Sequence, residues 1–368
     1  MAADVLSNVY AGLTQSFSSR LSRTWNRQAI ISTIIGQEDE GGQGDAKEVA
    51  WDAEFSGATA ASFVEGSDAA AAEFNQDPII PAVLGWGQYR SAVQVSNKEI
   101  NASLRNQAGP AALLQLVRER VLGAATKLAS VINQDIFTGT GSDAFGNPTV
   151  VGLAPALNTA ATYAGITKAS FTEWTSNVLA NGGNVRPLSY DLLANLEQLI
   201  FVSSGIEPDV IVCSPGVFRK YENLFEVGKR TVVDGLGAQP ISAYQGSTSG
   251  GVNVARTNTF WRGKPVIRDR NCPAGSLFML NLGEIFLKPL PFMQISPDGV
   301  AVQQMMVPSS NGTMQGGTSP ATVPTNFGCA VYPLARTGSA IRFMCEVYLQ
   351  LKINRPNAHA ICVDISET

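Results

Sequence analysis

One histidine in 368 residues, charged side chains at only 15%, and no block of lysine or arginine: the chain is short of the groups that do chemistry or grip nucleic acid. With His359 as the sole imidazole, and no second histidine or nearby cysteine, a metal centre lacks ligands. A Ser-His-Asp or Cys-His arrangement would have to pair His359 with a nucleophile far away in sequence, and no G-x-S-x-G marks one. His359 therefore reads as an ordinary surface or partly buried residue. The five cysteines (Cys213, Cys272, Cys329, Cys345, Cys362) are odd in number, scattered and without a CxxC, which excludes a disulfide framework and a zinc site and fits a reducing compartment. A net charge of −4 without basic runs excludes binding driven by counterion release. No apolar run reaches spanning length, and the start lacks a basic region followed by an apolar one, so neither a membrane span nor a standard secretion signal is expected. Gly139-Thr140-Gly141 resembles the start of a phosphate loop but ends a helical pattern and lacks a following Gly-Lys-Ser/Thr, so it reads as a helix stop. Glu346 and Asp364 lie in strand patterns whose exposed faces hold carboxylates by default. No catalytic group and no cofactor is expected.

What is present is a 45% hydrophobic fraction and 35 glycines, enough apolar material for a real core in a chain too long for one ordinary domain. Two compact units or one elongated, interleaved architecture are expected. A polar surface made mostly of Ser, Thr, Asn and Gln suits flat, repeated protein contacts.

Along the chain, residues 5–35 carry loosely spaced apolar side chains and a basic cluster, Arg20, Arg23 and Arg27, read as an extended or helical arm ending at Gly36. After an acidic, glycine-rich break at 38–45, residues 47–55 alternate Val49, Trp51, Ala53 and Phe55 with polar partners, the pattern of a strand. An alanine-rich tip follows, and residues 73–80 are expected to return as the second arm of a long hairpin. Every charged side chain from Glu48 to Asp77 is acidic: Glu48, Asp52, Glu54, Glu65, Asp68, Glu73 and Asp77. This flap is either a solvated, negatively charged loop or a surface that lies across a neighbouring copy offering Arg20, Arg23 and Arg27.

Residues 89–95 alternate again. Gly109-Pro110 then opens a long helix in which Leu114, Val117, Val121, Ala124, Leu128 and Val131 recur at three- and four-residue steps, with Gly139 as the stop. At 1.5 Å per residue it spans roughly 40 Å, a spine rather than a packing element of a small domain. A mixed helix-and-sheet region follows: a helix capped by Ser170 or Thr172 and running through Trp174 and Val178, a turn at Gly182-Gly183, a helix through Leu192, Leu193, Leu196, Leu199 and Ile200 stopped by Gly205, a buried strand at 209–213, and a helix opened by Ser214-Pro215. Residues 234–254 and 309–325 read as loops. Strands are expected at 260–268, 276–280 and 284–290. The chain closes with a long strand at 340–353, a turn at Asn354-Arg355-Pro356 and a last strand at 360–363.

The order of these elements resembles the major capsid proteins of tailed bacteriophages, the HK97-like capsid fold family. Local runs agree: Tyr163-Ala164-Gly165-Ile166 followed by Trp174; Phe260-Trp261-Arg262-Gly263-Lys264-Pro265-Val266 with Asp269-Arg270-Asn271-Cys272-Pro273-Ala274-Gly275; and Cys345 to Ala360 with its Arg355-Pro356. The resemblance implies an α+β architecture with an N-terminal arm (1–45), an extended loop or E-loop (46–86), a peripheral domain with the spine helix (87–141), an axial domain (142–285), peripheral return strands (286–354) and a C-terminal strand joining the axial domain (355–368). It implies a shell of pentamers and hexamers around double-stranded DNA in a virion assembled in the host cytoplasm, with a separate scaffolding protein, a portal protein and a decoration protein as further partners. Subunit contacts are expected at Arg20, Arg23, Arg27, Glu48, Trp51, Asp52, Glu54, Phe55, Phe63, Glu65, Asp68 and Glu73. Some relatives weld subunits through a lysine in the extended loop; here Lys47 lies at the loop's base and the tip has none, so noncovalent clamping is expected. The alternatives are an encapsulin-like compartment of the same fold and, from another class, a soluble α/β enzyme.

Overall fold

The computed structural model describes residues 30–37, 47–55, 62, 65, 79–98, 101, 109–226, 260–290, 293–295, 301–303, 306–307, 329–333 and 339–368. The loops expected at 234–254 and 309–325 lie outside them, as do most of the arm and the hairpin tip.

Two six-stranded sheets organise the described residues. The first is built on the long strand Ala340–Ile353, whose bounds coincide with the alternating run in the sequence. Gly87–Ser96 pairs antiparallel along most of it, from Ala340 opposite Ser96 to Leu349 opposite Gly87. Ile285–Pro289 pairs with its last residues, and Gly36–Gln37 adds in parallel beyond that. Cys329–Pro333 and then Met306–Val307 complete the order.

The helix Gly109–Thr138 packs against this sheet and is about 45 Å long at 1.5 Å per residue. Its buried face runs Ala125, Leu128, Ala129, Ile132, Ile136 and Phe137, whereas Val131, expected on the apolar stripe, is 38% exposed. Both series keep helical spacing and share Leu128, so periodicity alone cannot choose between them; contact with the sheet does. Each fully buried Ile or Phe here contributes about 1.5–3 kcal/mol. The helix ends where expected. Gly139 N donates to Asp135 O at 2.7 Å, and a Cβ on Gly139 would lie 2.3 Å from Val150 O, so the backbone of the next hairpin has taken the space of a side chain. At the same corner the Tyr89 hydroxyl donates to Asp135 Oδ2 at 2.7 Å and accepts from Val150 N at 3.0 Å.

The second sheet runs Phe260–Trp261, Lys264–Arg268, Val210–Cys213, Leu277–Leu280, Ala360–Cys362 and Asn177–Leu179 in spatial order. Its central strands are covered on both faces, which is why Val210–Cys213 is an unbroken apolar run. Val210, Val212, Phe278 and Leu280 face the core shared with the long helix; Ile211, Cys213, Leu277 and Met279 face a second core. That second core is closed by the helices Tyr190–Ser204 and Pro215–Glu226. The first stops where expected, at Gly205, which lies in the left-handed region at φ 72°; at its start Ser189 Oγ accepts from Leu192 N.

Three expectations are corrected. No helix runs from 170 to 178. Thr172–Trp174 is a single 3-10 turn and Asn177–Leu179 is a strand paired in parallel with Ala360–Cys362. The edge of the sheet offered that segment a ladder, and Trp174 is drawn inward to donate from Nε1 to Tyr163 O at 3.2 Å. The returning arm of the hairpin runs on past its expected end at Ile80, as Ile79–Gly85, with Pro81 opposite Asp52 in a two-stranded ribbon where a missing N–H is tolerated; residues 73–78 lie outside the described residues. His359 is fully buried, its Nδ1 accepting from Asn281 N at 3.1 Å.

Candidate functional site

The hairpin pairs Glu48–Glu54 with Ile79–Gly85 in continuous register, Glu48 opposite Gly85 and Glu54 opposite Ile79. Strand alternation turns Val49 and Ala53 into the core and leaves Glu48, Asp52 and Glu54 exposed. Trp51 and Phe55 are half-buried and used within the chain. Phe55 stacks on Phe171 with centroids 4.4 Å apart and meets Trp174 edge-on at 5.6 Å. Trp51 tilts against Tyr163 at 6.4 Å, and Lys352 Nζ sits 5.6 Å from its ring centroid.

The socket for these rings is the Tyr163-to-Trp174 run singled out in the sequence. Ala164 and Gly165 turn the chain with φ of 51° and 78°, so that Thr162–Tyr163 and Ile166–Thr167 fold back on each other. Val83 N donates to Ala164 O at 2.9 Å, tying the returning arm to this turn. The Tyr163 hydroxyl accepts from Ile353 N at 3.1 Å, and burial raises its pKa above the usual phenol value. One short motif thus joins the hairpin base to the end of the long strand.

Around this socket lies a cleft of about 510 Å³ lined by Trp51, Asp52, Glu54, Phe55, Glu173 and Trp174 together with Glu284, Lys352, Asn354, Arg355 and Asn357. Its two cations are engaged: Lys352 over Trp51, and Arg355 Nη1 with Glu284 Oε1 at 3.9 Å. Asp52, Glu54 and Glu173 have no ion-pair partner among the described residues. Two lining atoms, Trp51 Nε1 and Asn354 Oδ1, are shut from solvent without a hydrogen-bond partner among the described residues, at a cost of about 1–3 kcal/mol each.

Of the expected contact residues, Glu48, Trp51, Asp52, Glu54 and Phe55 meet at the hairpin base, and Glu65 is exposed. Arg20, Arg23, Arg27, Phe63, Asp68 and Glu73 lie outside the described residues. Sequence reasoning missed Glu173, Glu284 and Lys352. They are distant in sequence from the acidic flap, and only the fold brings them to it.

Among the described residues no group of three or more His, Cys, Asp or Glu is placed to hold a metal, and no helix is long and apolar enough to cross a membrane. The buried titratable groups serve structure. Lys168 Nζ donates to Ala156 O and Asn158 O, at 2.5 and 2.6 Å, and burial lowers its pKa to about 8. Lys264 pairs with Glu197 and, at 3.1 Å, with Glu207, while Arg262 reaches Glu197 at 2.8 Å. Cys213 and Cys272 are buried, and burial pushes both thiols above their usual range.

A long helix on a sheet of long strands, a hairpin anchored at its base and a second two-sided sheet together define a capsid-shell architecture. Solved structures share it: the cyanophage A-1(L) capsid (17% identity, TM-score 0.65, covering 95% of this chain and 96% of that one) and the capsid of Myoviridae phage XM1 (10%, 0.52, 94% and 95%). The holo-SrpI encapsulin of Synechococcus elongatus PCC 7942 does too (11%, 0.53, 97% and 95%). No curated protein matches the sequence. The model of the SU10 major capsid protein family matches residues 6–307, and the chain belongs to that family. It is a structural capsid protein with the HK97-like fold, not an enzyme.

Proposed function

We propose that copies of this chain form the pentamers and hexamers of a shell that encloses the double-stranded DNA genome of a tailed phage, confining it by wall strength. The observation that carries this reading is the family match over residues 6–307. The net charge of −4 and the lack of basic runs support a container that does not grip its contents. Residues 1–45 act as an arm and 46–86 as an extended loop; 87–141 and 286–354 form a peripheral domain, 142–285 an axial domain, and 355–368 return to the axial domain. The pairing of Ala360–Cys362 within the second sheet supports that last assignment. The contact residues expected from the sequence clamp adjacent copies, many weak contacts summing to a stable closed wall. A shell that must select one size and admit DNA also requires a size-determining scaffolding protein and a portal, with a decoration protein on the outer face and assembly in the host cytoplasm. Electron microscopy of native particles with extraction of nuclease-protected nucleic acid tests the reading. Genome-length duplex DNA inside icosahedral particles is the expected result. Particles holding an enzyme and no genome would establish the compartment alternative. Native-size shells from the chain expressed alone would remove the scaffolding protein.

A further inference from the structure

The turn that leads from Asn177–Leu179 toward the helix Tyr190–Ser204 holds three consecutive backbone amides in unequal states. Asn181 N and Gly183 N both donate to one oxygen, Asp364 Oδ2, at 2.8 and 3.0 Å. Gly182 N, between them, has no acceptor among the described residues. Asn184 N closes the turn on Asn181 O at 3.1 Å, and both central residues take positive φ, 63° at Gly182 and 81° at Gly183, a region open to glycine without steric cost. Residues 181–184 are exposed, and a Cβ on Gly182 would meet nothing within 4 Å. An unbonded, unshielded nitrogen therefore directly follows an asparagine carboxamide, at the spacing that closes a succinimide ring. The other asparagines near this turn lack that combination. Asn184 is followed by Val185 and Asn177 by Val178, whose branched side chains crowd the attacking nitrogen. Asn177 Nδ2 is also tied to Ser203 Oγ at 2.8 Å and to Asn357 O at 2.9 Å.

We infer that Asn181 is a site of spontaneous deamidation, with Gly182 N as its nucleophile. Solvent hydroxide removes the Gly182 N–H proton, the nitrogen bonds to Asn181 Cγ, and the Cγ–Nδ2 bond breaks, Nδ2 leaving as ammonia with a proton from water. One water then opens the ring. Cleavage between Gly182 N and Cγ gives aspartate; cleavage between Gly182 N and the Asn181 carbonyl carbon gives isoaspartate. Water is the only co-reactant, and nothing is oxidised. The product disturbs a fastening. Asn181 Nδ2 donates to Asn184 O at 2.8 Å, which a carboxylate cannot do, and the new charge adds to a turn already built on the Asp364 carboxylate. In isoaspartate the side-chain methylene enters the main chain between the two amides that share Asp364 Oδ2, so they no longer fit one oxygen. Beyond the turn, Arg186 N donates to Asp364 O and Arg186 O accepts from Ser366 N, each at 2.8 Å. Deamidation thus loosens the hold of residues 181–186 on residues 364–366 and marks each subunit with its age.

The test is ageing of the purified, unmodified subunit near neutral pH, followed by peptide mapping with mass spectrometry and by isoaspartyl methyltransferase labelling. Fragment ions should place an amide-to-acid mass change at Asn181 at least tenfold faster than at Asn177 or Asn184, with methyl label at the same residue. Because the fold leaves Gly182 N open, the rate at Asn181 should lie within tenfold of that in the urea-unfolded chain. Hydrogen exchange across residues 364–366 should rise in aged chains. It should stay unchanged in equally aged Asn181→Gln, whose side chain is one methylene too long for the succinimide ring. Asn181 left intact in the folded subunit after the unfolded chain has converted, or conversion there no faster than at Asn184, would overturn the site. Converted chains whose exchange at residues 364–366 matches that of fresh chains would overturn the loosening.

Discussion

His359 is the one side chain whose ordinary pKa lies between pH 5 and 8, and the fold buries it completely. Its Nδ1 accepts the Asn281 N–H at 3.1 Å, so the neutral ring carries its proton on Nε2. Burial lowers its pKa from 6.5 to about 3, with the Glu284 backbone carbonyl opposing only slightly. The folded value lies below the unfolded one, so the neutral ring contributes stability that is present above pH 6.5 and is lost as the pH falls toward 3. At pH 5 the unfolded ring is almost fully charged and the folded ring is not, which costs about 2 kcal/mol relative to pH 7.5. Urea unfolding of the unassembled subunit at pH 7.5 and 5.0 measures this. His359→Gln keeps an acceptor for Asn281 but cannot titrate. Asp135 and Asp269, whose pKa values burial raises, act in the opposite direction in the window above 3.8, gaining stability as the pH falls. They do so in both proteins and cancel in the comparison. The unmodified subunit should therefore lose about 2 kcal/mol more than His359→Gln between the two pH values. Parallel pH dependence in the two would refute the argument that His359 is held neutral by burial.

Further outcomes follow from the same geometry. Gly139→Ala places a Cβ 2.3 Å from Val150 O and 2.7 Å from Asp135 O; both are backbone atoms, so the helix end must shift. A loss of about 2–4 kcal/mol in subunit unfolding is expected. Glu197→Ala strands the buried Lys264 with only the exposed Glu207 as partner and should cost about 3–5 kcal/mol, read by thermal unfolding, while Glu197→Gln with Lys264→Met should recover most of it. Phe55→Ala removes the ring stacked between Phe171 and Trp174. It should cost about 2–4 kcal/mol and raise hydrogen exchange across Glu48–Glu54 and Ile79–Gly85, leaving Val210–Cys213 protected.

How much of this was legible in the sequence depends on how local its cause is. The bounds of Ala340–Ile353, the opening of the helix at Gly109-Pro110 and its end at Gly139, and the stop at Gly205 are written in side-chain period, φ preference and capping chemistry within a few residues. The acidic row on Glu48–Glu54 was legible for the same reason, since strand alternation places Asp52 and Glu54 on the face opposite Ala53. The 3-10 turn at Thr172–Trp174 was not, because its cause is a sheet edge formed by residues 360–362. Nor was the burial of His359, set by the Asn281 N–H that meets it from 78 residues away.

By itself, then, the sequence determined the element order, the long helix, the terminal strand, the acidity of the flap and the family resemblance, all properties of neighbouring residues or of composition. Only the tertiary structure decided which helical stripe is buried, that Tyr163 and Trp174 form a socket for Trp51 and Phe55, and that Glu173, Glu284 and Lys352 share a cleft with Asp52. The socket and the cleft are pairings across more than a hundred residues. They depend on which sheet a face meets and which polar atoms find partners once chain entropy has been overcome, and no local pattern encodes that.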